Sequence, residues 1–134
     1  MNRMNQDIFK AYDIRGIYPK EVNGRVAYEI GAGLGKFFGK GRVVVARDGR
    51  LGSPLLYRAL TRGLKIGNSK LKIVGLGLAT TPMFYFLVQK LGAAGGIIVT
   101  ASHNPKEYNG FKVVGRNAEM ISGREVLRLL TDDK

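Results

Sequence analysis

The sequence predicts an α/β fold, a three-layer α/β/α sandwich around a mixed, mostly parallel sheet. Three observations predict it. Short β-branched runs alternate with amphipathic helical patterns along the 134 residues. Such alternation is the signature of helices covering both faces of a sheet. Two of the runs lead into a Ser-Pro or Thr-Pro pair, a helix-start signal. One run also returns after a loop too short for a parallel crossover, so the sheet has an antiparallel part.

In chain order, Val26, Ile30, Leu34 and Phe37 mark the first helix. Gly31, Gly33 and Gly35 interrupt it, each costing about 1 kcal/mol relative to Ala. Close packing against the sheet accounts for them at this level. Residues 42–47 (RVVVAR) form a continuous run expected of a strand buried on both faces. Ser53-Pro54 then caps a helix that carries Leu56, Leu60 and Leu64 on one face. A second strand is expected over 71–76. Thr81-Pro82 repeats the cap, and Phe84, Leu87, Val88 and Leu91 follow the spacing of a core-facing helix. The third strand covers 96–100. A polar loop follows over 101–109, and the turn signal Asn109-Gly110 leads into a fourth strand over 111–114. Residues 124–130 form the last helix, and Asp132-Asp133 reads as its frayed end or a linker.

The length is that of one domain, 1–134, large enough to bury its own core. No apolar run is long enough for a membrane span, and residues 1–6 lack the apolar stretch of a secretory signal. Cysteine is absent, which excludes disulfides and thiolate metal sites. A cytoplasmic location is the expectation. Glycine occurs 19 times, about twice its ordinary share. The 22 Lys and Arg against 10 Asp and Glu leave a net charge of +12. That charge suits an anionic partner. No basic helix or base-stacking motif points to nucleic acid.

Three familiar phosphate or nucleophile patterns fail. Gly75-Leu76-Gly77 sits between strand and helix like a dinucleotide fingerprint, but Thr80 stands where the third glycine belongs. Gly35-Lys36 and Gly39-Lys40 lack both the upstream glycine and the following Ser or Thr of a phosphate-binding loop. Ser102 lacks the flanking glycines of a hydrolase elbow.

In such folds ligands gather at the carboxyl ends of strands. Three polar segments are expected there: 47–50, 79–81 and 101–109. The last holds the most chemistry. Ser102 offers a hydroxyl, His103 a titratable ring, and Asn104 both donor and acceptor, with Pro105 stiffening the backbone. Lys112 lies on the strand directly after the loop. A phosphorylated serine there would need the cations that this chain has in surplus. On the residues alone, a plain surface loop remains an equal alternative.

Four segments in order change that balance. Residues 9–16 (FKAYDIRG), 45–54 (VARDGRLGSP), 77–83 (GLATTPM) and 100–112 (TASHNPKEYNGFK) together cover essentially the whole chain. This set resembles the first domain of the α-D-phosphohexomutases, the phosphomannomutase and phosphoglucomutase family. The resemblance implies that Ser102 is the phosphorylated serine. It implies phosphoryl transfer between the 1- and 6-positions of a hexose phosphate, through a sugar 1,6-bisphosphate that also serves as activator. Arg15 matches the arginine beside the phosphoserine, Lys112 the active-site lysine, and His103 the histidine near the moving phosphate. Asn104 would hold the loop or the phosphate, and Tyr12 matches a substrate-proximal tyrosine. Mg²⁺ is expected on an oxygen of the Ser102 phosphate. Arg47 and Asp48 are expected to pair or brace the loop, Asp13 to orient the Arg15 segment, and Lys106 and Arg116 to be solvated.

The resemblance reaches only the first of the family's four domains. The second brings the other metal ligands, the third the sugar-reading loop and the fourth a phosphate clamp. With these three absent from the 134 residues, the expectation is a domain inactive on its own, with hexose phosphate and the remaining mutase domains as partners. A non-catalytic phosphosugar-binding or protein-interaction module is the alternative. Joint retention of Ser102 and Lys112 speaks for the enzyme.

Overall fold

A computed structural model describes residues 4–131. Asp132-Asp133 and the first three residues lie outside the described part. After a 3-10 turn at Gln6–Ile8 the elements run β1 Ile14–Ile17, α1 Gly24–Phe38, β2 Arg42–Arg47, α2 Ser53–Gly67, β3 Lys72–Leu78, α3 Thr81–Lys90, β4 Gly95–Val99, β5 Tyr108–Val114, β6 Met120–Ile121 and α4 Gly123–Thr131.

The strands form one mixed sheet in the order β1-β5-β4-β2-β3, with β6 on β5. Strands β3, β2 and β4 run parallel to one another, and β5 runs antiparallel to β4, β1 and β6. The parallel half is the part whose strands are joined by helical crossovers. β4 is buried along its whole length, as its uninterrupted apolar run predicts.

Helices cover both faces. On one side Val26, Ile30 and Leu34 of α1, Leu56, Leu60 and Leu64 of α2 and Val126 of α4 pack on Val43, Val45, Ile97, Val99 and Phe111. On the other, Phe84 and Val88 of α3 pack on Val44, Ala46, Ile98 and Val114. Alternate residues of β2 thus feed opposite cores, which is the period-two rule of a strand. The expected α/β/α layering is present.

Several local expectations shift. In α1 it is Phe38, not Phe37, that enters the core; Phe37 is exposed. Gly31 and Gly35 face α2 rather than the sheet: a Cβ on Gly31 would stand 2.4 Å from the Leu60 carbonyl oxygen, and one on Gly35 2.7 Å from that of Leu64. Gly33 meets only the side chain of Leu130 in α4. Ser53 does not cap α2; the N-cap residue is Gly52 and makes no side-chain bond. The cap of α3 is Thr80 rather than Thr81, its hydroxyl accepting from the Met83 amide. Asn109 and Gly110 do not form a turn. They lie inside β5, opposite Gly16 and Arg15 of β1. A Cβ on Gly110 would sit 1.9 Å from the Ile14 carbonyl oxygen, so that glycine serves strand contact.

The Gly75-Leu76-Gly77 pattern also has a structural cause. The β2–β3 register slips between Val45 and Ala46, and Gly77 takes a left-handed φ of 67° there. The Tyr57 hydroxyl accepts from the Gly77 amide and fills the space above Gly75.

Candidate functional site

The carboxyl ends of β2, β3 and β4 share one edge of the sheet, because these three strands are parallel. β1 runs parallel to β4 in effect, since both oppose β5. The edge therefore gathers the loop after β4, the Arg47–Arg50 segment after β2, and Arg15 in β1.

The loop after β4 is tightly bonded. The Thr100 amide donates to the Gly110 carbonyl at 2.9 Å, continuing the β4–β5 ladder to the brink of the loop. The Thr100 hydroxyl accepts from the Ser102 amide at 3.0 Å. Asn104 closes a turn onto Ala101, through its backbone amide at 3.1 Å and its side-chain amide at 2.7 Å. Ser102 sits at the apex of that turn with φ of 56°, a left-handed conformation that non-glycine residues seldom adopt. Its side chain is exposed. A strained residue at a loop apex commonly marks a functional position.

Arg15 reaches this turn. One guanidinium nitrogen donates to the Asn104 side-chain oxygen at 3.1 Å, and Nε donates to Asp13 Oδ1 at 3.2 Å. Asp13 is nearly buried and orients the arginine as expected. The register puts Gly110 opposite Arg15 and Lys112 two residues further along β5. Phe111 and Val113 both point into the α1/α2 core. Lys112 therefore projects from the other face, which it shares with Arg15. His103 is exposed beside Ser102, and Tyr12 stands 70% exposed on the hairpin before Arg15, so it is no part of the core. Among the described residues no hydrogen bond joins His103, Lys112 or Tyr12 to the Arg15–Asn104 pair. Lys106 and Arg116 are exposed, as expected of solvated charges.

The residue that sequence reasoning passed over is Arg50. Its guanidinium donates to four carbonyls of the loop: Ser102 at 2.9 Å, Asn104 at 2.7 Å, Pro105 at 2.7 Å and Tyr108 at 3.0 Å. Asp48 faces Arg50 Nε at 3.5 Å and also accepts the Arg50 amide and the Ser53 hydroxyl. The Arg47 guanidinium donates to the Asp48 carbonyl, so the expected carboxylate pairing of Asp48 goes to Arg50 instead. Only the position of Arg50 after a strand signalled it, because its partners in the loop are backbone atoms.

Among the described residues no group of three or more His, Cys, Asp or Glu stands together as a metal cage.

Residues 6–130 match the family model described as phosphoglucomutase/phosphomannomutase, alpha/beta/alpha domain I. The chain belongs to this family. It is 45% identical over 130 residues to a phosphomannomutase of Klebsiella pneumoniae, covering 94% of the chain and 82% of that protein. It is equally 45% identical to a phosphomannomutase of Escherichia coli, but there it spans only 28% of the relative's length. A crystal structure of a phosphoglucomutase/phosphomannomutase family protein from Burkholderia thailandensis superposes with a TM-score of 0.84 at 38% identity, over 96% of this chain and 31% of that one. The sheet and helices described above are thus those of the family's first domain. No helix among the described residues is long and apolar enough to cross a membrane.

Proposed function

We propose that Ser102 carries a phosphoryl group and exchanges it with a hexose phosphate, as the phosphoserine domain of a phosphomannomutase or phosphoglucomutase. One observation supports this most. The exposed Ser102 hydroxyl stands on a left-handed apex at the carboxyl edge of the sheet, with Arg15 bonded to the same turn through Asn104.

In the first half-reaction a hydroxyl oxygen of the hexose monophosphate attacks the phosphorus on Ser102. The bond from phosphorus to Oγ breaks, the sugar hydroxyl gives up its proton, and Oγ takes one up. The product is a 1,6-bisphosphate. After it reorients, Ser102 Oγ gives up its proton and attacks the other phosphate, the phosphorus–sugar oxygen bond breaks, and the sugar oxygen takes up a proton. Phosphate has then moved between the 1- and 6-positions and the serine is phosphorylated again. Such transfers depend on positioning and on neutralising charge at the moving group. Arg15 supplies a planar fork for phosphate oxygens. Lys112 supplies a point charge, and His103 is placed to carry the proton. Tyr12 and Asn104 face the sugar and the loop. Mg²⁺, when bound, adds charge neutralisation, with its remaining ligands coming from the family's second domain. Turnover on this reading needs the walls that the other mutase domains bring, and the setting is cytoplasmic.

Intact mass and phosphosite mapping test the reading, after incubation with a hexose 1,6-bisphosphate and Mg²⁺. One phosphate on Ser102, absent in Ser102→Ala, is the expected result. An unmodified mass under all conditions, including with the other mutase domains added, rejects the nucleophile role and leaves a binding module.

A further inference from the structure

We propose that Arg50 is a positioning residue for the Ser102 loop: it gathers the loop's carbonyls on one side and thereby turns the His103 amide outward to meet a phosphate on Ser102. The phosphate half of this proposal rests on the function proposed above; the bracing half does not.

The donor count carries the argument. A guanidinium has five N–H groups. In Arg50 four of them go to the carbonyls of Ser102, Asn104, Pro105 and Tyr108, and Nε faces Asp48. The four hydrogen-bonded groups hold a segment more than fifty residues away in sequence, and Nε lies in an ion pair with Asp48 at 3.5 Å. Asp48 is itself fixed by the buried Ser53 hydroxyl, which accepts from the side chain of Asn109 in β5. The chain Asn109–Ser53–Asp48–Arg50 thus runs from the strand after the loop, through the start of α2, and back onto the loop.

A peptide unit is planar, so a carbonyl and the following amide point in opposite directions. Drawing the Ser102 carbonyl onto Arg50 aims the His103 amide away from Arg50. Among the described residues that amide has no hydrogen-bond partner. The Ser102 and Asn104 amides are spent on the Thr100 hydroxyl and the Ala101 carbonyl, so within this turn the His103 amide is the one left to donate to an anion. Ser102 is in the left-handed conformation, and without Arg50 nothing on the α2 side holds its carbonyl there.

Lysine cannot reproduce this arrangement, since it has three donors on a flexible stem. The test therefore uses Arg50→Lys, which keeps the charge, beside Arg50→Ala. Amide hydrogen exchange of the 134-residue chain reads the loop without any phosphorylation. The Asn104 and Tyr108 amides, which donate to Ala101 and Pro105, should exchange about tenfold faster or more in Arg50→Lys, while β2 and β4 amides keep their rates. Unchanged exchange at both loop amides overturns the proposal. Phosphate uptake at Ser102 from a hexose 1,6-bisphosphate should be slower by a similar factor in Arg50→Lys, at an unchanged thermal midpoint, and a wild-type rate there overturns it too. A wild-type chain that takes up no phosphate even with the other mutase domains added counts against the mutase reading, and the exchange rates still decide the bracing. If Arg50→Ala does not fold, the lysine variant decides both readouts.

Discussion

Ser53 shows how one buried hydroxyl couples the site to the fold. It is fully buried, donates to Asp48 and accepts from the Asn109 side-chain amide at 3.0 Å. Removing a buried partner costs the desolvation of whatever it leaves unpaired, about 1–3 kcal/mol. Ser53→Ala strands a buried Asn109 donor and loosens Asp48 beneath Arg50. Urea unfolding should show a loss within that range, and an unchanged midpoint would mean that the Asn109–Ser53–Asp48 chain carries no weight. The sequence already marked Ser53, but for another reason. A Ser before Pro reads locally as a helix cap, whereas the side chain turns inward to a carboxylate and an amide that are near only in the folded state. Arg50 was illegible for a related reason: beyond its neighbour Asp48 its partners are backbone carbonyls more than fifty residues away, which leave no side-chain pattern in the sequence. Ser102 and Asn104 stood out as polar groups in the loop after a strand, whereas Arg15 was named by the resemblance alone, since the Arg15–Asn104 bond spans 89 positions.

At the scale of elements, α1 and α2 pack backbone against backbone, and their glycines make this possible. Gly31 lies against the Leu60 carbonyl and the Leu64 amide of α2, while Gly63 and Gly67 of α2 lie against Tyr28 and Ala32 of α1. Alanine gains about 1 kcal/mol over glycine in a helix interior. Gly31→Ala nevertheless places its Cβ 2.4 Å from a backbone oxygen, and backbone cannot swing aside. The helices must separate, at an overpacking cost of about 1–3 kcal/mol or more. Gly33→Ala meets only the tip of Leu130, a half-buried side chain with other rotamers available. Denaturant titration should therefore find Gly31→Ala destabilised and Gly33→Ala neutral or stabilised; the reverse order would refute backbone contact as the reason for the glycines. The helices themselves were legible from Leu spacing, and the strands from their apolar runs. β1 was not, because its four residues Ile14–Ile17 include an arginine and a glycine and show no run. Gly110 looked like a turn because Asn-Gly is a local turn signal, and only the approach of β1 explains it.

For the whole molecule the dominant quantity is charge, +12 on 134 residues. Like charge in excess repels itself in the compact state, and added salt shortens the range of that repulsion from about 30 Å at 0.01 M to about 8 Å at 0.15 M. NaCl should therefore raise the thermal midpoint. A site for phosphate adds a separate effect. Anything that binds the folded state stabilises it by RT ln(1 + [L]/Kd), about 1.4 kcal/mol at ten times Kd, which is several degrees for a domain of this size. At equal ionic strength, inorganic phosphate should raise the midpoint further than chloride does. Part of that rise is the general exclusion of phosphate from protein surface, which any variant retains. The site-specific part should vanish when Arg15 and Lys112 are both changed to Gln, because these are the cations on the sheet face beside the Ser102 loop. Comparing four midpoints, chloride and phosphate for the wild-type chain and for the double variant, separates the two contributions. Loss of the extra phosphate increment in the variant locates anion binding at the Ser102 edge. The same increment in both proteins would assign it to the solvent and remove Arg15 and Lys112 from any phosphate site.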